Sequence, residues 1–260
     1  MNFAELKLKA KNQLEPFSKI PRLALLISLL VSYSLAITYS ILINRYANTF
    51  SANSYLLPQL LYTAIVALIN PVFSMAYFAL IVQISKQSGA EQAHKFTLKD
   101  YFANFRLFKK GIGNYWWTLL WQCLWGMLFF IPILIVMSFF FYFLASENLI
   151  ANKTIHTFLT IIAWICIMTV FIVKELSYCF NTYAIADNND LRIREAMNVS
   201  KAITKGHRAE VFKFYMSFID KYFLIIITLG IASIWLQPHI NMSVYNFYKE
   251  LLEKYNSNAE

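Results

Sequence analysis

Charge is scarce in this chain, and acid is scarcer still. Aspartate and glutamate number 14 against 23 lysines and arginines, and charged residues are 14% of the total. A water-soluble domain carries about a quarter, so a charged surface over the whole length is excluded. Cysteine occurs at only three positions, Cys123, Cys166 and Cys179, each inside an apolar run. No CxxC pair is present, which argues against a disulfide framework or a zinc site. The four histidines, His94, His156, His207 and His239, are scattered. HExxH, GxSxG, a phosphate-binding lysine loop and GxGxxG are all missing. Neither an enzyme of a familiar kind nor a cofactor is expected.

Long apolar runs are what the chain does have. Hydrophobic residues make up 58% of it, gathered into stretches of about 20 or more, the length that crosses a bilayer. Spans are expected at about 23–43, 56–84, 115–145, 155–186 and 211–236. The first run is too long for a signal peptide. The third, with Pro132 inside it, is too short for two crossings and reads as one long helix. Asn70-Pro71 near the middle of the second predicts a kink. Residues 1–22 form a basic amphipathic segment with Phe3, Leu6, Ala10, Leu14 and Phe17 on one face. Residues 237–260 read as an amphipathic tail beyond Pro238. The expected fold is therefore all-α, a polytopic transmembrane bundle of about five spans with interfacial helices on the cytoplasmic face.

Lysine and arginine cluster in alternate connections. Lys7, Lys9, Lys11, Lys19 and Arg22 precede the first span, and Lys86, Lys95, Lys99, Arg106, Lys109 and Lys110 follow the second. Arg192, Arg194, Lys201, Lys205 and Arg208 follow the fourth, while Arg45 and Lys153 stand alone in the other two loops. The positive-inside rule then places the N-terminus in the cytoplasm and, with five spans, the C-terminus outside. The net charge of +9 lies beside apolar runs, which fits a membrane surface rather than nucleic acid. The basic set of Arg192, Arg194, Lys201, Lys205 and Arg208 is a candidate contact for anionic lipid.

Two charged pairs interrupt the apolar runs, Lys174-Glu175 and Asp220-Lys221. Ionisable groups at membrane depth normally face a partner or a wet cavity. Counted from span ends at Ala186 and Val211, Glu175 and Asp220 both lie roughly 13–17 Å from the same side. Antiparallel neighbours would then pair Glu175 with Lys221 or Lys174 with Asp220, as a structural clamp or an ion site. Trp117, Trp121 and Trp125 recur every four residues and share a helix face. Leu98, Tyr101, Phe102, Phe105 and Phe108 before Lys110-Gly111 are echoed by Ile193, Ala196, Met197, Ser200 and Ile203 before Lys205-Gly206, which suggests a structural repeat with a glycine stop in each half.

From Tyr178 onward a more specific pattern emerges. It comprises Tyr183-Ala184-Ile185-Ala186-Asp187, Arg194-Glu195-Ala196 with Ser200, Lys205-Gly206, Ser217-Phe218-Ile219, Thr228-Leu229-Gly230-Ile231, Trp235, Pro238, Asn246-Phe247-Tyr248 and Leu251. In order and spacing this resembles the bacterial integral-membrane family catalogued as domain of unknown function 975. Asp220-Lys221 and His239 depart from that family's usual residues. The resemblance implies a multi-pass protein of a bacterial cytoplasmic membrane and brings no activity, cofactor or catalytic residue. The leading expectation is a non-enzymatic scaffold or accessory factor contacting lipids and envelope proteins, with a protein partner or self-association possible. The competing one is a small transporter or channel built around the charged pairs.

Overall fold

The computed structural model describes residues 2–46, 56–88, 96–146 and 153–257, and every regular element among them is helical. His94 and Lys95 lie outside these residues. α1 (Phe3–Leu14) is followed by α2 (Lys19–Tyr46), α3 (Leu56–Gln87), α4 (Leu98–Ala103), α5 (Phe108–Ser146) and α6 (Lys153–Tyr178). The second half comprises α7 (Asn181–Asp187), α8 (Ile193–Thr204), α9 (Arg208–Met216), α10 (Ile219–Ile227) and α11 (Ser233–Ser257). Among the described residues, α2 over Lys19–Arg45 and α3 over Leu56–Gln87 are long and apolar enough to cross a membrane.

The predicted amphipathic N-terminal helix is α1. Asn2 caps it by accepting from the Ala4 and Glu5 N–H groups, and Leu6, Ala10 and Leu14 are buried. The expected 115–145 segment lies within one 39-residue helix, α5, rather than a hairpin. The Asn70-Pro71 pair lies inside α3, which continues through it as one element.

Two of the expected spans are not single helices. The fourth apolar run does not continue to Ala186: α6 stops at Tyr178 and α7 restarts at Asn181. Ser200 of α8 stabilises that break, donating to the Ser177 carbonyl at 2.9 Å and accepting from the Phe180 N–H at 3.2 Å. Buried backbone groups left over at a helix end need such partners. The run 211–236 is no single helix either, because α9 and α10 are nine residues each. Lys7 reaches the Ser217 carbonyl at the first break, 2.6 Å away, a cation where the helix dipole favours one. Left-handed backbone at Leu229 and Gly230 ends α10.

The expected tail over 237–260 is, as far as residue 257, part of a packed helix. α11 begins at Ser233 and carries Pro238 within it, at the loss of one helix donor. From Ile240 through Tyr248 every residue is buried, as expected for a helix enclosed on all sides. α11 packs against α1, α2, α3, α8 and α10. Phe247 stacks on Phe214 at 4.4 Å, and Phe3 meets both edge-on. Asn246 donates to Gln13 of α1 at 2.8 Å. The C-terminal helix is thus the centre of a packed head that includes the N-terminal helix.

The suggested repeat also dissolves. Its first half is the short α4, a 3-10 turn over Asn104–Leu107 and the start of α5, with Phe102 and Phe108 exposed. Its second half is one helix that buries Met197 and Ile203 and ends at Gly206 with φ 87°. Gly111 is not a stop but lies inside α5, where a Cβ would sit 2.8 Å from the Pro71 carbonyl oxygen and 2.9 Å from the Met75 Cβ. Helix propensity alone favours Gly111→Ala by up to about 1 kcal/mol. The collision involves backbone that cannot step aside, so α3 and α5 must part, at about 1–3 kcal/mol. Gly111→Ala is therefore expected to lower the thermal unfolding midpoint of the purified chain. An unchanged or raised midpoint would show that the two helices are not in this contact.

Candidate functional site

The four charges singled out in the apolar runs do not meet. Glu175 lies three residues from the end of α6, not eleven from a span end, because α6 stops early. Its carboxylate accepts from the Gln122 amide of α5. Lys174 instead sits over the Trp125 ring, 3.4 Å from its centroid. Asp220, in the first turn of α10, is exposed. Lys221 donates to His239 Nδ1 at 2.9 Å and lies beside the Phe218 ring. Burial and the neighbouring Lys221 push the His239 imidazole down to about 4. No ion pair joins Lys174 or Glu175 to Asp220 or Lys221.

The basic candidates are better organised. α8 owes its position to Ala196, Met197, Ser200 and Ile203, which it buries against the head. Glu195 accepts from the Arg192 N–H at 2.8 Å and fixes the start of the helix. This presents Arg194 over the Trp117 ring at 4.7 Å and Lys201 over the Trp121 ring at 5.2 Å. With Lys174 on Trp125, each member of the tryptophan row holds one cation. Lys201 also lies 5.3 Å from the Tyr178 ring, whose hydroxyl accepts from Trp125 Nε1 at 2.8 Å. Among the described residues no ion pair engages Arg194, Lys201 or Lys174. Arg192, Lys205 and Arg208 are exposed. A cation on an indole face keeps its charge available to a further anion.

A second charged cluster escaped the sequence reading. Asp187, at the end of α7, pairs with Lys86 of α3 at 2.9 Å and Lys249 of α11 at 3.5 Å, and accepts from the Tyr245 hydroxyl at 2.8 Å. Lys86 also donates to the Asp187 carbonyl. Burial pushes the Asp187 carboxyl up, but the Lys86 and Tyr245 hydrogen bonds and the Lys249 charge outweigh it and hold the carboxyl below the usual range. Lys110 bridges the Asn189 and Leu191 carbonyls just beyond. Lys86 and Lys110, counted in sequence as topology signals, are clamps on this turn.

Among the described residues, the fold and these sites define an all-helical protein in which at least two helices are long and apolar enough to cross a membrane, joined to a packed helical head. The chain belongs to the family described as Protein of unknown function (DUF975), whose model matches residues 1–255. Comparison with curated proteins gave no match, and comparison with solved structures gave none.

Proposed function

We propose that this chain is an integral membrane protein of four crossings, α2, α3, α5 and α6, with both termini and α7–α11 on the cytoplasmic face of a bacterial plasma membrane. It acts without catalysis, as a scaffold or accessory factor that gathers anionic lipid and contacts other envelope proteins. Exposed apolar side chains support a lipid surround: Leu30, Ile37 and Ile41 on α2, Leu57 and Leu60 on α3, and Leu124 and Leu128 on α5. Leu229 is 85% exposed at the tip after α10, beside exposed Ile226, Ile227 and Ile231. In water that patch would be an aggregation site; in the interface it is an anchor. An ion path through Lys174, Glu175, Asp220 and Lys221 is disfavoured, since Lys174, Glu175 and Lys221 have separate partners and Asp220 lies exposed on α10.

The cation–tryptophan ladder carries the lipid reading. Tryptophan is at home at headgroup depth, and each nearby lysine or arginine attracts an anionic headgroup by about 1 kcal/mol. Removing Arg192, Arg194 and Lys201 charges together, as glutamines, should cost about 3 kcal/mol, near a hundredfold. The measurement is the ratio of phosphatidylglycerol to phosphatidylcholine retained on the purified chain from an equal mixture. A ratio that ignores the triple substitution rejects the proposal.

A further inference from the structure

A cavity of about 470 Å³, mostly apolar but with one amide- and hydroxyl-lined wall, lies between α3, α5 and α7, on a different face of α5 from the tryptophan row. Its α5 wall is Asn114, Thr118 and Gln122, spaced every four residues, and Gly111 leaves the floor without a side chain. The volume is that of an ordinary small-molecule pocket.

The hydrogen bonds of this wall decide what it can hold. Asn114 Nδ2 donates to Thr182 Oγ1 at 3.1 Å, and Asn181 Nδ2 donates to Thr118 Oγ1 at 2.8 Å. Thr182 in turn donates to Asn181 Oδ1 at 3.2 Å. Gln122 gives its Nε2 to Glu175, which turns its Oε1 away from that carboxylate. Three amide nitrogens are therefore engaged inside the protein. Asn114 is only 7% exposed, and its Oδ1 is buried with no partner at all. An orphaned buried acceptor costs free energy until something donates to it. No lysine or arginine lines the cavity, and its other walls include the apolar Val66, Ala67 and Leu119.

We infer that this cavity binds the headgroup of an acylated amphiphile that donates hydrogen bonds, through an ammonium or a hydroxyl, to Asn114 Oδ1 and Gln122 Oε1. Its apolar walls take the adjoining chain. The inference rests on the membrane reading above for the source of the ligand, but not on the anionic-lipid site.

The test is native mass spectrometry of the full chain in detergent with three probes. Phosphatidylethanolamine donates through an ammonium, diacylglycerol donates through a hydroxyl, and phosphatidylcholine has no donor. One or both donor lipids should be retained about tenfold over phosphatidylcholine, the effect of roughly one such hydrogen bond. Which of the two is retained identifies the donor group. Asn114→Leu should abolish the preference, while the glutamine substitutions at Arg192, Arg194 and Lys201 should leave it intact. Should Asn114→Leu fail to fold, Thr63→Phe decides: Thr63 is exposed at the cavity, and its hydroxyl donates to the Gln59 carbonyl of its own helix. Equal retention of all three lipids, or a preference that survives a folded cavity variant, overturns the inference.

Discussion

A reporter joined after the last residue is expected to give a cytoplasmic signal, on the same side as one joined before Asn2. The five-span reading places the two on opposite faces, so the experiment is all or none. α11 buries Ile240, Met242, Val244, Tyr245, Phe247 and Tyr248 against α1 and its neighbours. Each such side chain contributes about 1.5–3 kcal/mol, so the two helices cannot be parted by a bilayer without unfolding the head. The link Asn246–Gln13 fixes their register, and the His239 ring meets the Lys7 carbonyl at 3.2 Å. With both ends on one side the number of crossings must be even. Residues 47–55 and 147–152 should label from the opposite face. A reporter at the C-terminus protected from the cytoplasm would dismantle this topology.

Asp187→Ala should be among the most damaging single substitutions outside the spans. Asp187 joins three elements, α3, α7 and α11, through Lys86, Tyr245 and Lys249. The two lysines are partly exposed and can turn to water, so their loss is modest. Tyr245 is 1% exposed, and its hydroxyl would be left buried without an acceptor. The combined cost is about 2–4 kcal/mol, readable as a large fall in the unfolding midpoint of the purified chain. The linkage to pH has a definite sign. A carboxyl held below its unfolded value near 3.9 stabilises the fold above that pH, and the contribution is lost as pH falls through the lower folded value. Acid unfolding should therefore be less steep in Asp187→Asn than in the parent. A variant as stable as the parent, with the same acid limb, would remove Asp187 from its role as the tie.

Much of this was legible in the residues. Runs of apolar side chains at membrane length mark α2 and α3, because a helix satisfies its own backbone and needs only one kind of neighbour. The buried face of α1 follows from a spacing of three and four. Basic α8 and the tryptophan row were each visible. The cavity wall at Asn114, Thr118 and Gln122 has the same spacing as the tryptophans, one position over, and could have been read from it.

Other features depend on residues far apart in the chain. Hydropathy counts apolar side chains but does not see where a helix is interrupted or what encloses it, so the broken run 211–236 looked like a span and the enclosed α11 like a tail. The breaks at Tyr178 and Ser217 exist because Ser200 and Lys7 supply partners for backbone that helix propensity alone would have kept paired. The placing of one cation on each indole required α6 and α8 to arrive at α5 from different points in the chain. Composition and periodicity thus settled that the chain is helical and rich in runs of membrane length, five by the sequence, of which α2 and α3 meet that test as helices among the described residues. Tertiary packing settled where helices end, what encloses α11, and which charges stand near one another, because those outcomes turn on contacts between residues up to 233 positions apart.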